Sequence, residues 1–276
     1  MTRMLKSISA EILSQDELKH LSSAFDVIGD IAVLKLPLEW PYTKKSKVAM
    51  LLMQKVKSIK SVWNQVGPVE GEYRIRRLEY LAGEKRSDTV YREHGCSFHV
   101  DLQSVYFSPR LSSERLRIAS LTEKGEKIFN MFSGVGTFSV VIAKKVAEVE
   151  VYSSEINEKA YSLMELNIRS NKLIGKVIPL RGDCREHAGK IPKCDRVLMP
   201  LPERAYEFLG YAIKAARHGA VIHYYEWVKG AGKEAIEASW EHIRKNFDCF
   251  KLQEARVVSE VAPRTSEVVL DLSYSP

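Results

Sequence analysis

The chain has 276 residues, 45% of them hydrophobic, enough for one large domain or two smaller ones with a sizeable core. It contains no run of about 18 apolar residues, which argues against a membrane-spanning helix, and Met1 to Ala10 lacks the apolar centre of a signal peptide. The net charge of +7 favours a polyanionic partner, and the four scattered cysteines, Cys96, Cys184, Cys194 and Cys249, follow neither a zinc spacing nor a disulfide framework, so they read as reduced thiols of a cytoplasmic protein.

Residues 1–21 read as a short N-terminal segment. Residues 22–108 have the pattern of a small α+β domain, with strands expected over Ile31–Leu36, Val62–Gln65, Tyr73–Leu81 and Ser97–Leu102 and a basic amphipathic helix over Lys45–Val56. Ser108-Pro109 breaks the pattern and sets the boundary within Tyr106–Ser113. From residue 109 to 276, strands alternate with helices. Strands are expected over Lys127–Phe132, Glu148–Ser153, Val177–Leu180, Asp195–Met199 and Gly219–Tyr225. Helices are expected over Phe138–Val146, Asn157–Asn171, Ala205–Ala216 and Ala231–Asn246. Two last strands, Phe250–Val261 and Ser266–Tyr274, join at Pro263. The alternation predicts an α/β, doubly wound parallel sheet that ends in an antiparallel strand pair.

Gly134-Val135-Gly136 sits between the first strand of that sheet and a helix, where glycine lets the backbone approach a ligand closely. A lone GxG turn is weak evidence. Its context adds weight: Glu155 ends the second strand, where a carboxylate suits two ribose hydroxyls, and Asp183 follows the third, placed to accept from an adenine amino group. Three features at three successive strand ends point to an adenosine-containing ligand. The alternative is that Glu155 and Asp183 only cap helices. A dinucleotide fits less well, because the turn has no third glycine for a pyrophosphate.

Several motifs together resemble one family. Phe132-Ser-Gly-Val-Gly-Thr-Phe-Ser139, Gly182-Asp-Cys-Arg185, Asp195-Arg-Val-Leu-Met-Pro-Leu-Pro202 and Val221-Ile-His-Tyr-Tyr225 are similar to the archaeal and eukaryotic tRNA (guanine-37-N1)-methyltransferases. So are Tyr106-Phe-Ser-Pro-Arg-Leu-Ser-Ser-Glu-Arg115 and Phe25-Asp-Val-Ile-Gly-Asp-Ile-Ala-Val-Leu34. The resemblance, from about Phe25 to Tyr274, implies a Rossmann-like class I methyltransferase sheet preceded by a small tRNA-contacting domain. It also implies S-adenosyl-L-methionine as cofactor, held by Phe132, Gly134, Gly136, Glu155, Asp183, Cys184 and Pro200, and the anticodon stem-loop of tRNA as substrate. The same pieces resemble the wyosine-pathway enzymes, one of which transfers an aminocarboxypropyl group and another of which methylates a tricyclic precursor. Three departures stand out. Pro200 replaces the Asn of the family's Asn-Leu-Pro motif, Asn130 replaces a common Asp, and the family's extra N-terminal domain is not expected before Phe25.

Guanine N1 carries a proton, so its methylation needs a base and a donor for charge growing on O6. Glu114 is the expected base, against the plainer reading of a helix-start acid paired with Arg115 or Arg117. Strand alternation places Arg74 and Arg76 on one face without choosing between them, and the resemblance points to Arg74 as the O6 donor. Tyr106 is expected beside the methionine end or a base. Arg110 is assigned to a phosphate, and Pro202 to the turn beside the target pocket. Lys44, Lys45 and Lys47, with Lys55, Lys57 and Lys60, form the densest basic stretch and are the candidates for tRNA contact. His223 reads as structural. No metal site is expected, because a sulfonium needs no help to leave. A monomer is expected.

The leading reading is therefore N1-methylation of guanine 37. Its nearest alternative is a wyosine-pathway reaction at the same position, possible as a second activity, and the Leu201-Pro202 pair, through the resemblance, favours methyl transfer over the bulkier group. A binding protein with a relict cofactor fold is the alternative of another class, opposed by the intact glycines, Glu155 and Asp183.

Overall fold

The computed structural model describes residues 4–22 and 25–275. Residues 1–3, 23–24 and 276, which fall within the three expected segments, lie outside the described residues. The chain divides into two compact units, Met1–Glu93 with Ser97–Pro109, and His94–Cys96 with Arg110–Pro276.

The first unit opens with two short helices, α1 (Met4–Ser9) and α2 (Gln15–His20). Ser14 and Glu17 form a reciprocal capping box that satisfies the first free amides of α2. These helices are not a separate segment: Leu5, Ile8, Leu13 and Leu21 are buried in the unit's core with Leu34, Val48, Leu52 and Val62. Strands β1 (Asp26–Ile28) and β2 (Ile31–Leu34) lead to helix α3 (Tyr42–Lys55), then to β3 (Ser61–Glu70) and β4 (Ile75–Gly83). The four strands form one sheet in chain order. β2 and β3 run parallel because α3 carries the chain back between them, and the other neighbours are antiparallel. Strands β5 (Asp88–Glu93) and β6 (Cys96–Asp101) make a separate two-stranded sheet.

The second unit contains α4 (Ser112–Leu121), β7 (Lys127–Asn130), α5 (Thr137–Lys145), β8 (Glu150–Glu155), α6 (Glu158–Ser170), β9 (Lys176–Arg181) and α7 (Cys184–His187). There follow β10 (Cys194–Met199), α8 (Ala205–Ala215), β11 (Ala216–Lys229), α9 (Gly232–Arg244), β12 (Phe250–Ala262) and β13 (Thr265–Tyr274). The seven strands order as β12-β13-β11-β10-β7-β8-β9. β7 pairs in parallel with both β8 and β10, so the strand order reverses beside it. Open α/β sheets bind ligands at the carboxyl ends of strands at such a switch point. β13 is antiparallel to both β11 and β12, as expected of the terminal pair. Helix α4, carrying Glu114, and the one-turn α7 were not among the expected elements. Among the described residues, no helix is long and apolar enough to cross a membrane.

Candidate active site

In the second unit, the turn after β7 is tied to the carboxyl end of β8 by one backbone bond and one to a side chain. Ser133 N donates to Ser154 O at 2.9 Å, and Gly134 N donates to Glu155 Oε2 at 2.7 Å. Asn157 N donates to Glu155 Oε1 at 2.8 Å, while the Asn157 side chain caps α6. Burial pushes the Glu155 carboxyl up from its ordinary value, and the backbone amides pull it the other way. Gly136, with φ 85°, caps α5, and a Cβ there would lie 2.8 Å from Met164 Cγ of α6. The turn therefore needs glycine for both its backbone angle and its packing. At the end of β7, Asn130 Nδ2 donates to Ser139 Oγ at 3.0 Å. Its buried Oδ1 has no hydrogen-bond partner among the described residues.

Asp183 caps α7. Its Oδ1 accepts from Arg185 N at 2.8 Å and its Oδ2 from Arg185 Nε at 2.9 Å. The guanidinium holds this carboxyl below its ordinary range. An adenine contact at Asp183 thus requires the Arg185 pair to share it. Cys184 is buried in the core, where desolvation pushes its thiol up to about 12. Phe132 meets the edge of Phe208 at 5.0 Å between centroids, and Phe208 is flanked by the guanidiniums of Arg185 and Arg204. Pro200 follows β10 and is half-buried, and Pro202 is buried, its carbonyl accepting from Trp227 N at 3.2 Å.

Glu114 lies in the first turn of α4 and is completely buried. Arg117 Nη2 donates to its Oε1 at 2.8 Å, and Arg117 Nε lies 3.1 Å from both oxygens. Tyr225 of β11 donates its hydroxyl to Oε1 at 2.7 Å, and Arg256 of β12 stands 3.5 Å from Oε2. The Tyr225 ring is also 6.3 Å from Phe138 in the first turn of α5, so the glycine turn and Glu114 share a neighbour. Arg117 is held in turn by Asp271 of β13, through contacts of 2.6 and 3.2 Å. His223 continues the chain, with Nδ1 2.6 Å from Asp271 Oδ1 and Nε2 2.7 Å from Arg196 Nη1. Burial lowers the His223 pKa, which makes it a neutral donor to Asp271 and acceptor from Arg196. His223 is thus structural, as its sequence context suggested.

In the first unit, Arg74 is not on a strand. It lies in the turn before β4, with φ 54° and its amide donating to Gly71 O at 3.1 Å. The expected alternation with Arg76 therefore fails. Arg76 goes to Asp26 at 3.2 Å and to Phe107 O at 2.9 Å. Arg74 stacks on Tyr106, its guanidinium carbon 4.3 Å from the ring centroid. Two expected site residues thus meet. The lysines divide. Lys44 is hydrogen-bonded to Glu17, and Lys45 is buried with Nζ 2.7 Å from Glu79 Oε2. Burial on the inner face of α3 removes Lys45 from the candidate phosphate contacts, and Lys44 is already paired. Lys47, Lys55, Lys57 and Lys60 are exposed, as is Arg110.

Sequence reasoning missed Tyr225 and Arg256 as neighbours of Glu114, and Asp271 as the second partner of Arg117. Arg117 had a signal, the i,i+3 spacing on a helix. Tyr225 is 111 residues from Glu114 in sequence, and Asp271 is 154 from Arg117, so no local pattern joins them.

Residues 89–256 match the family model described as the TRM5/TYW2 methyltransferase domain, and residues 5–87 match the TYW2 N-terminal domain. The chain is 38% identical over 268 residues to the tRNA (guanine(37)-N(1))-methyltransferase Trm5b of Pyrococcus abyssi, covering 95% of this chain and 78% of that protein. It is 34% identical over 248 residues to the tRNA 4-demethylwyosine(37)-methyltransferase Taw21 of Saccharolobus solfataricus, covering 90% of this chain and 92% of the relative. Among solved structures, the complex of aTrm5 with tRNALeu superposes with a TM-score of 0.87 at 34% identity, covering 98% of this chain and 77% of that one. With the sheet order, the glycine turn and the Glu114 motif already in place, these matches mean that the chain belongs to the TRM5/TYW2 methyltransferase family.

Proposed function

We propose that this protein is an S-adenosylmethionine-dependent tRNA methyltransferase that forms N1-methylguanosine at position 37, working as a cytoplasmic monomer on the anticodon stem-loop. The observation that carries this reading is a buried carboxylate, Glu114, fixed through Tyr225 beside the helix that starts at the glycine turn. The turn suits an adenosyl ligand. Gly134 and Gly136 supply the left-handed backbone of the turn, Glu155 ends β8 as an acceptor for ribose hydroxyls, and the orphaned Asn130 Oδ1 offers an acceptor to the methionine ammonium. Phe132, Cys184 and Pro200 supply apolar lining. When bound, S-adenosylmethionine supplies a methyl group on a sulfonium, whose leaving group is a neutral thioether.

The chain's own residues make N1 nucleophilic. Glu114 accepts the N1 proton, which frees the electron pair that forms the new N–C bond. The Arg74 guanidinium, held over the Tyr106 ring, stabilises the charge on O6. Arg110, Lys47 and the turn at Pro202 serve the nucleotide and its phosphates. The free thiols, Cys96, Cys184 and Cys194 of them buried, suit a reducing compartment.

Pro200 supports a second reading. It offers no side-chain amide to hold guanine, which favours methylation of a tricyclic wyosine precursor at the same position, alone or as a second activity. The likeness to Taw21 points the same way. Labelled S-adenosylmethionine and an unmodified tRNA transcript with guanine at position 37 separate the two. N1-methylguanosine that disappears when the guanine becomes adenine establishes the first reading. A product formed only on tRNA carrying the tricyclic precursor establishes the second, and an aminocarboxypropyl adduct overturns methyl transfer. No product on either tRNA overturns both readings.

A further inference from the structure

The two oxygens of Glu114 are not equivalent. Oε1 is filled by Arg117 Nη2 at 2.8 Å, by Tyr225 at 2.7 Å and by a share of Arg117 Nε at 3.1 Å. Among the described residues, Oε2 has only its share of Nε at 3.1 Å and the distant Arg256 at 3.5 Å. Hydrogen bonds between charged partners run at about 2.7–2.9 Å, so Oε2 is the under-used oxygen. Arg256 keeps 34% of its side chain exposed and sits on the edge strand β12, whose pairing shifts register at Leu252/Glu254 and Val257/Ser259. It is the partner best placed to yield.

Arg117 itself cannot turn. Its guanidinium is locked between Glu114 on its own helix and Asp271 on β13, and Asp271 is fixed by His223. Arg196 holds His223 from the other side and binds both Glu126, at 2.9 and 3.0 Å, and the carbonyl of Leu121, the last residue of α4, at 2.7 Å. The helix that carries Glu114 is therefore pinned at its first turn and at its end by one continuous buried network.

We infer that Arg117 and Asp271 are positioning residues for proton transfer: they hold Glu114 by Oε1 so that Oε2 is the atom that takes the proton from the base. This rests on the proposed methyl transfer. The step moves one proton from guanine N1 to Oε2 and neutralises the carboxylate; the N1 electron pair would form the new bond to the methyl carbon as that carbon's bond to the sulfonium sulfur breaks, the thioether leaving neutral. A lysine in place of Arg117 cannot make the fork to both carboxylates, because an ammonium is a point donor.

The test is a kinetic cycle on the full chain with the tRNA the wild type methylates. Arg117→Lys is expected to lower kcat by about 10- to 100-fold, the size of a positioning loss, with KM for tRNA and for S-adenosylmethionine nearly unchanged. In a Glu114→Gln background the same change is expected to cost less than about threefold, because the atom it positions is no longer a base. Asp271→Asn keeps the size of the side chain and should show the same coupling more weakly. Tyr225→Phe removes one Oε1 donor and is expected to lower kcat alone, a readout that survives if the Arg117 variant does not fold. An equal factor in both backgrounds, or a loss carried by KM, overturns the inference. An inactive wild type would instead overturn the proposed function, so the two failures are distinct.

Discussion

Glu155 and Glu114 are both carboxylates at the heart of the second unit, yet they are held by different means. Glu155 is held by backbone amides, that of Gly134 in the turn after the neighbouring strand β7 and that of Asn157 just past the end of its own strand. Glu114 is held by side chains from α4, β11 and β12, through Arg117, Tyr225 and Arg256. Backbone donors come with the fold and survive most substitutions. Side-chain donors exist only if distant residues keep their identity. A binding group can be built the first way, because its task is to stand still and accept hydrogen bonds. A proton acceptor gains from the second, because its partners decide which oxygen is satisfied and which is left to react.

The largest expected effect separates the two roles. Glu114→Gln keeps size and much of the hydrogen bonding but cannot take a proton. It should lower kcat by roughly 10²- to 10⁴-fold while calorimetry shows cofactor affinity unchanged. Near-wild-type turnover would remove Glu114 from the chemistry. Glu155→Ala should do the reverse. Losing a charged acceptor is expected to weaken S-adenosylmethionine about 10- to 100-fold, with single-turnover rates at saturating cofactor close to wild type. If both variants lose cofactor binding equally, the contrast between a binding and a reacting carboxylate is wrong.

The same contrast explains what could be read from the sequence. The glycine turn, Glu155 and the sheet are local in origin. Period-2 and period-3.6 patterns set the strands and helices, and short spacings set the turn, so most elements of the second unit lie within a few residues of their expected bounds. The motif around Glu114 was legible, but the network that holds it was not, because Asp271 and His223 meet Arg117 and Arg196 only after the sheet forms. In the first unit the failures have equally physical causes. Arg74 sits in a left-handed turn that a run of apolar and basic residues does not announce. Lys45 was counted as a solvated charge, although α3 turns it inward to Glu79. The helices α1 and α2 are too short for a clear period, and tertiary burial of Leu5 and Leu21 stabilises them.

A smaller effect should appear in stability against pH. His223 is buried as the neutral ring, its folded pKa lowered by desolvation despite the hydrogen bond to Asp271. Burial opposes ionisation of Asp271, but hydrogen bonds from His223 and Arg117 hold it well below its usual range. Both groups bind fewer protons when folded. Their contribution is therefore complete above the unfolded values, 6.5 for the histidine and 3.8 for the aspartate, and is lost as pH falls through the lower folded values. The wild type should lose on the order of 1 kcal/mol between about pH 7 and 5, read as a falling unfolding midpoint, and His223→Gln should flatten that slope. Glu155 runs the other way, since burial raises its pKa, and its share is present at low pH and fades as pH rises through the folded value. A midpoint that rises on acidification would mean that this carboxylate outweighs the His223–Asp271 pair.

The smallest effect tests the contrast on the surface of α3, where one lysine is held and another is not. Lys45 lies buried against Glu79, whereas Lys47, two residues on, is exposed. Lys47→Ala should leave the unfolding midpoint in place, weaken tRNA binding by less than about tenfold and reduce the slope of log affinity against log salt by about 1. Lys45→Ala should lower stability by about 1–3 kcal/mol by stranding Glu79, and should leave the salt slope alone. The pairing decides the outcome: a lysine already neutralised by a carboxylate has no counterion-releasing contact to give an RNA phosphate. If Lys45→Ala changed the salt slope and Lys47→Ala did not, the RNA would have to open the Glu79 pair, and the held lysine would be the working one.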